Sequence, residues 1–295
     1  MSRPRARASG GSAVRIRKAA RMADDGYRAE LVPGLRVEDD ARRLAAEIGF
    51  SAARLAELAS EPPGLYAEIA GEPDVEEASW LAFLTAYLSP TESEDPFATI
   101  RAVRTTWASG EMPRLSGDLD VGPRSAYDPA RANDTVVAYR RWAERAGSQA
   151  AAFTGEPQWD GERRFGRAFE RLSLPGFHRT ARFDLLTALG RTGRGDLRAG
   201  SLLLAGAASD DDTAVAAKRV FGIADPLLID RRAATLAEAA EVPLEALDLA
   251  LFNWQRGEER RATLGAGDAA GADTARRERA AAALGLQRSP PPAID

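Results

Sequence analysis

The chain reads as an all-α protein, and three observations carry that reading. Apolar residues recur at helical spacing along the middle of the chain. Pro- and Gly-rich breaks cut that pattern into pieces of helix length. No stretch shows the bounded Val/Ile/Thr alternation of a strand, and no internal repeat is visible.

The elements follow in order. Asp39–Ile48 and Ser51–Ala59 read as two short amphipathic helices parted by Gly49-Phe50, with Ser51 an N-cap for the second. Glu61-Pro62-Pro63-Gly64 separates them from Tyr66–Ala70. Val75–Tyr87 has almost no polar face, so it reads as a central buried helix that Ser89-Pro90 stops. Phe97–Trp107 is the next helix, and residues 109–130 form a long Gly/Pro/Asp loop of the kind that carries function or variation. Thr135–Ala152 and Arg164–Leu172 are helices. The turn Leu174-Pro175-Gly176-Phe177 leads into Thr180–Leu189. A turn at Gly206 opens a helix that closes at Phe221-Gly222. Asp230 then stands where a helix from Arg231 begins, and Ala246–Trp254 closes the body.

Composition bounds the function. A chain of 295 residues buries a sizeable core as one large or two small domains. Hydrophobic content of 44% and charged content of 28% are those of a soluble globular protein. The absence of cysteine excludes disulfides, zinc thiolates and iron–sulfur clusters, and fits a reducing cytoplasm. No apolar run reaches bilayer length. A net charge of −4 leaves nucleic-acid binding to a local basic face. Lys18 and Lys218 are the only lysines, so positive charge is nearly all arginine, which forks onto phosphate. No H-x-x-x-H, Walker or G-x-S-x-G pattern occurs, which argues against metalloprotease, P-loop and serine-hydrolase chemistry.

The ends read as tails. Residues 1–22 are a basic segment with Arg3, Arg5, Arg7, Arg15, Arg17, Lys18 and Arg21. It suits a mobile phosphate-attracting arm, or an extension upstream of a start at Met22. Residues 257–295 are expected to be largely disordered apart from a short helix over Arg276–Leu286. The body is then 23–256.

The order within that body resembles the helix-hairpin-helix DNA glycosylases. In that superfamily a hairpin L-P-G-x-G-x-x-T-A grips a DNA phosphate, the next helix ends at F-G, and a catalytic aspartate follows. Two hairpins compete here. Leu174-Pro175-Gly176-Phe177 has the closer letters, but no aspartate follows its helix in an apolar context. The turn at Gly206 has the closer spacing, through Phe221-Gly222 to Asp230. Trp80–Ser93 resembles the family's buried second helix, Gly176–Leu189 the helix that family members begin with a G-x-x-x-x-K-A pattern, and Ala246–Trp254 the helix behind the aspartate. Among the clades, the chain looks most like the bacterial α-glutamyl/putrescinyl thymine pyrophosphorylases, associated with hypermodified phage DNA bases.

The resemblance implies a two-lobed helical bundle that acts as a monomer on double-stranded DNA, with phage or hypermodified DNA included, and needs neither cofactor nor metal. It implies a monofunctional N-glycosylase in which Asp230 stabilises a cationic sugar and orients water. The other reading of Asp230 is a plain helix N-cap. Gly206 and Thr213 fall at the hairpin, and Thr91 takes the place of the polar residue that enters the DNA. Arg179, Arg191 and Arg194 are candidate phosphate contacts, and Trp254, Asn253 and His178 candidate walls of a base pocket. The chain departs from the family at Asp210-Asp211-Asp212, three acids where a phosphate should sit; they either hold a cation or complement the helix dipole. Lys218 lies two turns beyond the hairpin position of a Schiff-base lysine. A catalytically silent DNA-binding or interaction protein of the same fold is the alternative.

Overall fold

The computed structural model describes residues 24–115, 117–265 and 274–286. The expected basic tail, residues 1–22, lies outside them. Among the described residues there are twelve α-helices and no strand. They are α1 (Glu38–Ser60), α2 (Leu65–Gly71), α3 (Val75–Leu88), α4 (Ala98–Val103), α5 (Ala132–Arg145), α6 (Gln149–Thr154), α7 (Gly161–Arg171), α8 (Arg179–Arg191), α9 (Asp212–Phe221), α10 (Pro226–Ala239), α11 (Leu244–Arg256) and α12 (Thr274–Ala283). The all-α expectation holds.

Helix α3 is buried from Ala78 through Leu88, as its lack of a polar face requires. Asp74 caps it by accepting from the Glu76 and Glu77 amides. It packs on α2, α6 and α8. One side carries an aromatic ladder in which Trp80, Phe83 and Tyr87 stack in sequence. Tyr139 of α5 lies over Phe83 with ring centroids 3.8 Å apart. Phe177, from the turn before α8, closes on Phe83 and Tyr87. Each such contact contributes about 0.5–1.5 kcal/mol beyond area burial. The ladder thereby fixes the start of α8 against the core.

Several boundaries differ from the sequence reading. The two short helices of the N-terminal region are one, α1, and Ser51 is buried in its interior instead of capping a second helix. Gly49 reads as a break, yet it is a packing position. A Cβ there would lie 2.8 Å from the Arg277 backbone nitrogen of α12. The predicted Thr135–Ala152 helix is divided into α5 and α6, because Gly147 adopts φ +90 and Ser148 caps a new start by accepting from the Ala151 amide. The predicted Phe97–Trp107 helix ends at Val103, and Glu77 instead captures the Trp107 and Ala108 amides.

Helix α10 begins earlier than expected. Asp225 is its N-cap, accepting from Leu227 and Leu228, and Pro226 occupies the first turn. Asp230 is therefore inside α10 and caps nothing. Helix α9 ends as the sequence indicates, with Gly222 left-handed at φ +65. Gly206 lies in a turn, at φ +76, within an irregular segment spanning residues 192–211. It does not open α9 directly.

The segment after Arg256 returns to the body. Asn253 donates to the Ala262 carbonyl and accepts from the Ala262 amide. Helix α12 packs on α1, with Ala280 and Leu284 fully buried. One apolar cluster extends from Val32 to Leu286.

Candidate functional site

The densest chemistry lies where α8, α10, α11 and the loop before α5 converge. Arg124, from the loop before α5, donates from Nε and Nη2 to both carboxylate oxygens of Asp184 on α8, at 2.8 and 2.6 Å. Its Nη2 also reaches Asp248 of α11 at 2.7 Å. Arg179, at the first position of α8, pairs with the other Asp248 oxygen and donates to the Leu202 carbonyl. Arg124, Arg179 and Asp248 are each at least 97% buried. Two guanidinium groups and two carboxylates thus neutralise one another inside the protein. Burial pulls the Arg124 pKa down, and the Asp184 and Asp248 carboxylates more than offset it, so the guanidinium is held above its ordinary range. Burial pushes the Asp184 carboxyl up, against the pull of Arg124.

Asp230 joins this cluster through the backbone of one residue, Leu202. Its Oδ1 accepts from the Leu202 amide at 2.9 Å, while the Leu202 carbonyl accepts from Arg179. Leu203, the next residue, has φ +53, a left-handed conformation for a non-glycine residue. Burial pushes the Asp230 carboxyl above its ordinary range, opposed by the Leu202 amide and the Arg179 charge. The side chain is part-buried.

A cavity of about 310 Å³ opens beside the cluster. Arg124, His178, Thr180, Asp210, Asp211, Asp212 and Phe252 are among its lining residues. The Arg124 and Arg256 guanidinium groups lie over Phe252, at 4.6 and 5.1 Å from the ring centre. Both candidate hairpins therefore meet at one cavity, His178 and Thr180 from the first and the three aspartates from the second. Asp230 does not line it. A second cavity, about 430 Å³, is lined by Val75, Phe153, Leu189, Leu197 and Arg194, with the Arg164–Asp196 pair at its edge. Arg194 is the one predicted site residue there.

The acids at the hairpin have local roles. Asp211 caps α9 by accepting from Ala214 and also accepts from the Thr180 hydroxyl. Asp212 pairs with Arg256 at 3.0 Å. Asp210 is exposed. Complementing the helix N-terminus accounts for the first two. Among the described residues no group of three or more acids, histidines or cysteines could hold a metal ion.

The predicted contacts are dispersed. Arg179 is buried in the ion cluster. Arg191 pairs with the buried Glu245 of α11 at 3.2 Å, and Arg194 donates to the Ala70 and Glu72 carbonyls at the end of α2. These arginines fasten the segment after α8 to its neighbours, so they do not form an exposed stripe. Thr213 is fully buried. Thr91 is also buried and bonds to the Ser93 hydroxyl. Gly206 is exposed, with open space around it. Trp254 is 2% exposed, donates to the Asp40 carbonyl, and is flanked by Arg43 and Arg219. Asn253 is fully buried against Ala262. Of the three predicted pocket residues, only His178 lines the cavity beside the cluster.

Arg124, Asp184, Asp248 and Phe252 are absent from the sequence-based site. Asp248 had a usable signal: it is the lone charge in Ala246–Phe252, and a lone acid in an apolar helix must find a buried partner. Arg124, inside an irregular loop, had none.

No helix among the described residues is long and apolar enough to cross a membrane. No curated protein and no solved structure matches the chain. The stretch that does find a match begins at Arg124 and takes in the whole ion cluster, Asp230 and the Asn253–Ala262 clamp. Over residues 124–263 the chain is similar to the family described as alpha-glutamyl/putrescinyl thymine pyrophosphorylase clade 3, and the match supports that clade.

Proposed function

We propose that this protein is a DNA base-processing enzyme that acts on a modified thymine, with Asp230 its essential carboxylate. The observation that carries the reading is Asp230 itself. It is a part-buried carboxylate, fixed by a backbone amide and raised in pKa by burial, within the stretch similar to a thymine pyrophosphorylase family. A carboxylate so placed can face a cationic sugar without first shedding a water shell.

The reaction is an N-glycosidic cleavage. The bond between sugar C1′ and the base nitrogen breaks, and its electron pair leaves with the base, which is then protonated. The sugar becomes oxocarbenium-like, stabilised by the Asp230 charge. Water adds to C1′ and gives a proton to the carboxylate. Gly206, exposed and unobstructed, is a candidate approach for a phosphate.

The test is Asp230→Asn. It keeps an acceptor for the Leu202 amide, so the fold and duplex binding should persist while release of the modified base is lost. Retained base release in that variant would overturn the assignment.

A further inference from the structure

Three irregularities of the fold meet at Leu202 and Leu203. The first is the Arg179 guanidinium. A single nitrogen, Nη2, serves both Asp248 and the Leu202 carbonyl. Nε and Nη1 are buried and bond to no described residue, although the group lies over the Phe183 ring. Buried donors left without acceptors cost stability, so neutralising Asp248 is a poor account of this placement. What the placement achieves is the bond to the Leu202 carbonyl.

The second is Leu203, at φ +53. A leucine in the left-handed region persists only where its surroundings enforce it. A turn of that hand lets successive amides face one anion. The third is the anion itself, the part-buried Asp230. It accepts from the Leu202 amide at 2.9 Å, and the Leu203 amide adds a weaker pull of the same sign.

The Leu202 carbonyl and the Leu203 amide belong to one planar peptide group, in which they point opposite ways. Arg179 holds the oxygen, and the carboxylate lies on the amide side. The segment 192–211 is irregular, so no helix or strand sets the direction of these groups. Other charged groups on the neighbouring elements are engaged elsewhere or exposed. Arg232 donates to the Phe221 carbonyl, Arg219 of α9 to Gln255, and Arg279 of α12 pairs with Glu241. Arg231 and Lys218 are exposed. Asp248 is held by Arg179 and Arg124.

We infer that Arg179 is a positioning residue for Asp230: by holding the Leu202 carbonyl, it keeps the backbone amides of this turn on the carboxylate. The inference rests on the proposed function and adds to it what orients and tunes the carboxylate. Arg179 acts through the backbone and touches no reacting atom. Its charge also favours the ionised form of Asp230, the form that can face a cationic sugar.

The experiment is a carboxyl-carbon NMR titration of the full chain with isotope-labelled aspartate. The Asp230 resonance is identified by its absence from Asp230→Asn. Arg179→Met/Asp248→Leu removes the guanidinium without stranding a charge, and its Asp230 midpoint should move to higher pH than in wild type. Arg179→Gln, in which Asp248 keeps Arg124, serves the same purpose if the double variant does not fold. Arg191→Met loosens the same segment at its Glu245 tether and should leave the midpoint in place. An unmoved midpoint in the folded Arg179 variants would overturn the inference. So would an equal movement in Arg191→Met, because general loosening would then explain both. The titration needs no substrate, so neither result bears on the proposed function. Base release by Asp230→Asn would remove that function and leave the titration as measured.

Discussion

Asp248→Ala tests the ion cluster most directly. Asp248 is fully buried and, among the described residues, is the only carboxylate in ion-pair contact with Arg179, whereas Arg124 also holds Asp184. The substitution therefore strands one buried guanidinium group and leaves the other paired. Removing one partner of a buried pair costs about 3–5 kcal/mol. In a protein of this size each kcal/mol lowers the melting temperature by roughly 2 °C, so the expected fall is about 6–10 °C. Thermal melts followed by circular dichroism, with urea titration for the free energy, measure it. Arg179→Met/Asp248→Leu removes both charges and should recover much of the loss, because an apolar pair leaves no stranded ion. A melting temperature within about 2 °C of wild type for Asp248→Ala would refute the argument. So would strict additivity of the two single losses, which contacting residues should not show.

Further expectations follow from the same geometry. Asp230 keeps its proton to higher pH in the folded protein than at its ordinary value of 3.8. Its ionisation therefore disfavours folding as pH rises from that value through the folded one. The stability of Asp230→Asn relative to wild type should grow across that window and then level off, and urea midpoints falling in the opposite direction would contradict this. Gly34→Ala should be severely destabilising, since its Cβ would lie 1.9 Å from the Arg219 carbonyl oxygen in the last turn of α9; expression and melting report it. Asn253→Ala strands both the amide and the carbonyl of Ala262, at about 1–3 kcal/mol per buried group, and should hasten proteolysis near residues 258–263. Lys218 is exposed on α9, so borohydride should trap no covalent DNA adduct, and an adduct at Lys218 would point to amine chemistry in place of water.

Local signals made much of the fold legible. Helix α3 has no polar face, and α9 carries its own stop in Phe221-Gly222. The errors arose where a distant element decides. Gly49 breaks helices in the abstract but is required in α1 by the approach of α12. Asp230 looks like a cap until Asp225-Pro226, a stronger start, takes the role. The site was harder to read. Arginine was expected to face phosphate, but Arg179, Arg191 and Arg194 turn inward because buried acids and open helix-end carbonyls await them. Those partners, Asp248, Glu245 and the end of α2, are each 50 or more residues away in sequence, beyond the reach of spacing rules.

The pairing of α1 with α11 and α12 has a consequence for how the chain is made. Trp254 donates to the Asp40 carbonyl across 214 positions of sequence. Synthesis proceeds at about 5–20 residues per second, so α1 waits roughly 10–40 s for that partner. Meanwhile Leu44, Ile48 and Leu55 lack the surface that finally covers them. Most helical proteins close through neighbouring contacts and fold fast, whereas this one delays its first helix to the end. On the ribosome, that helix is the segment a chaperone would find open for longest.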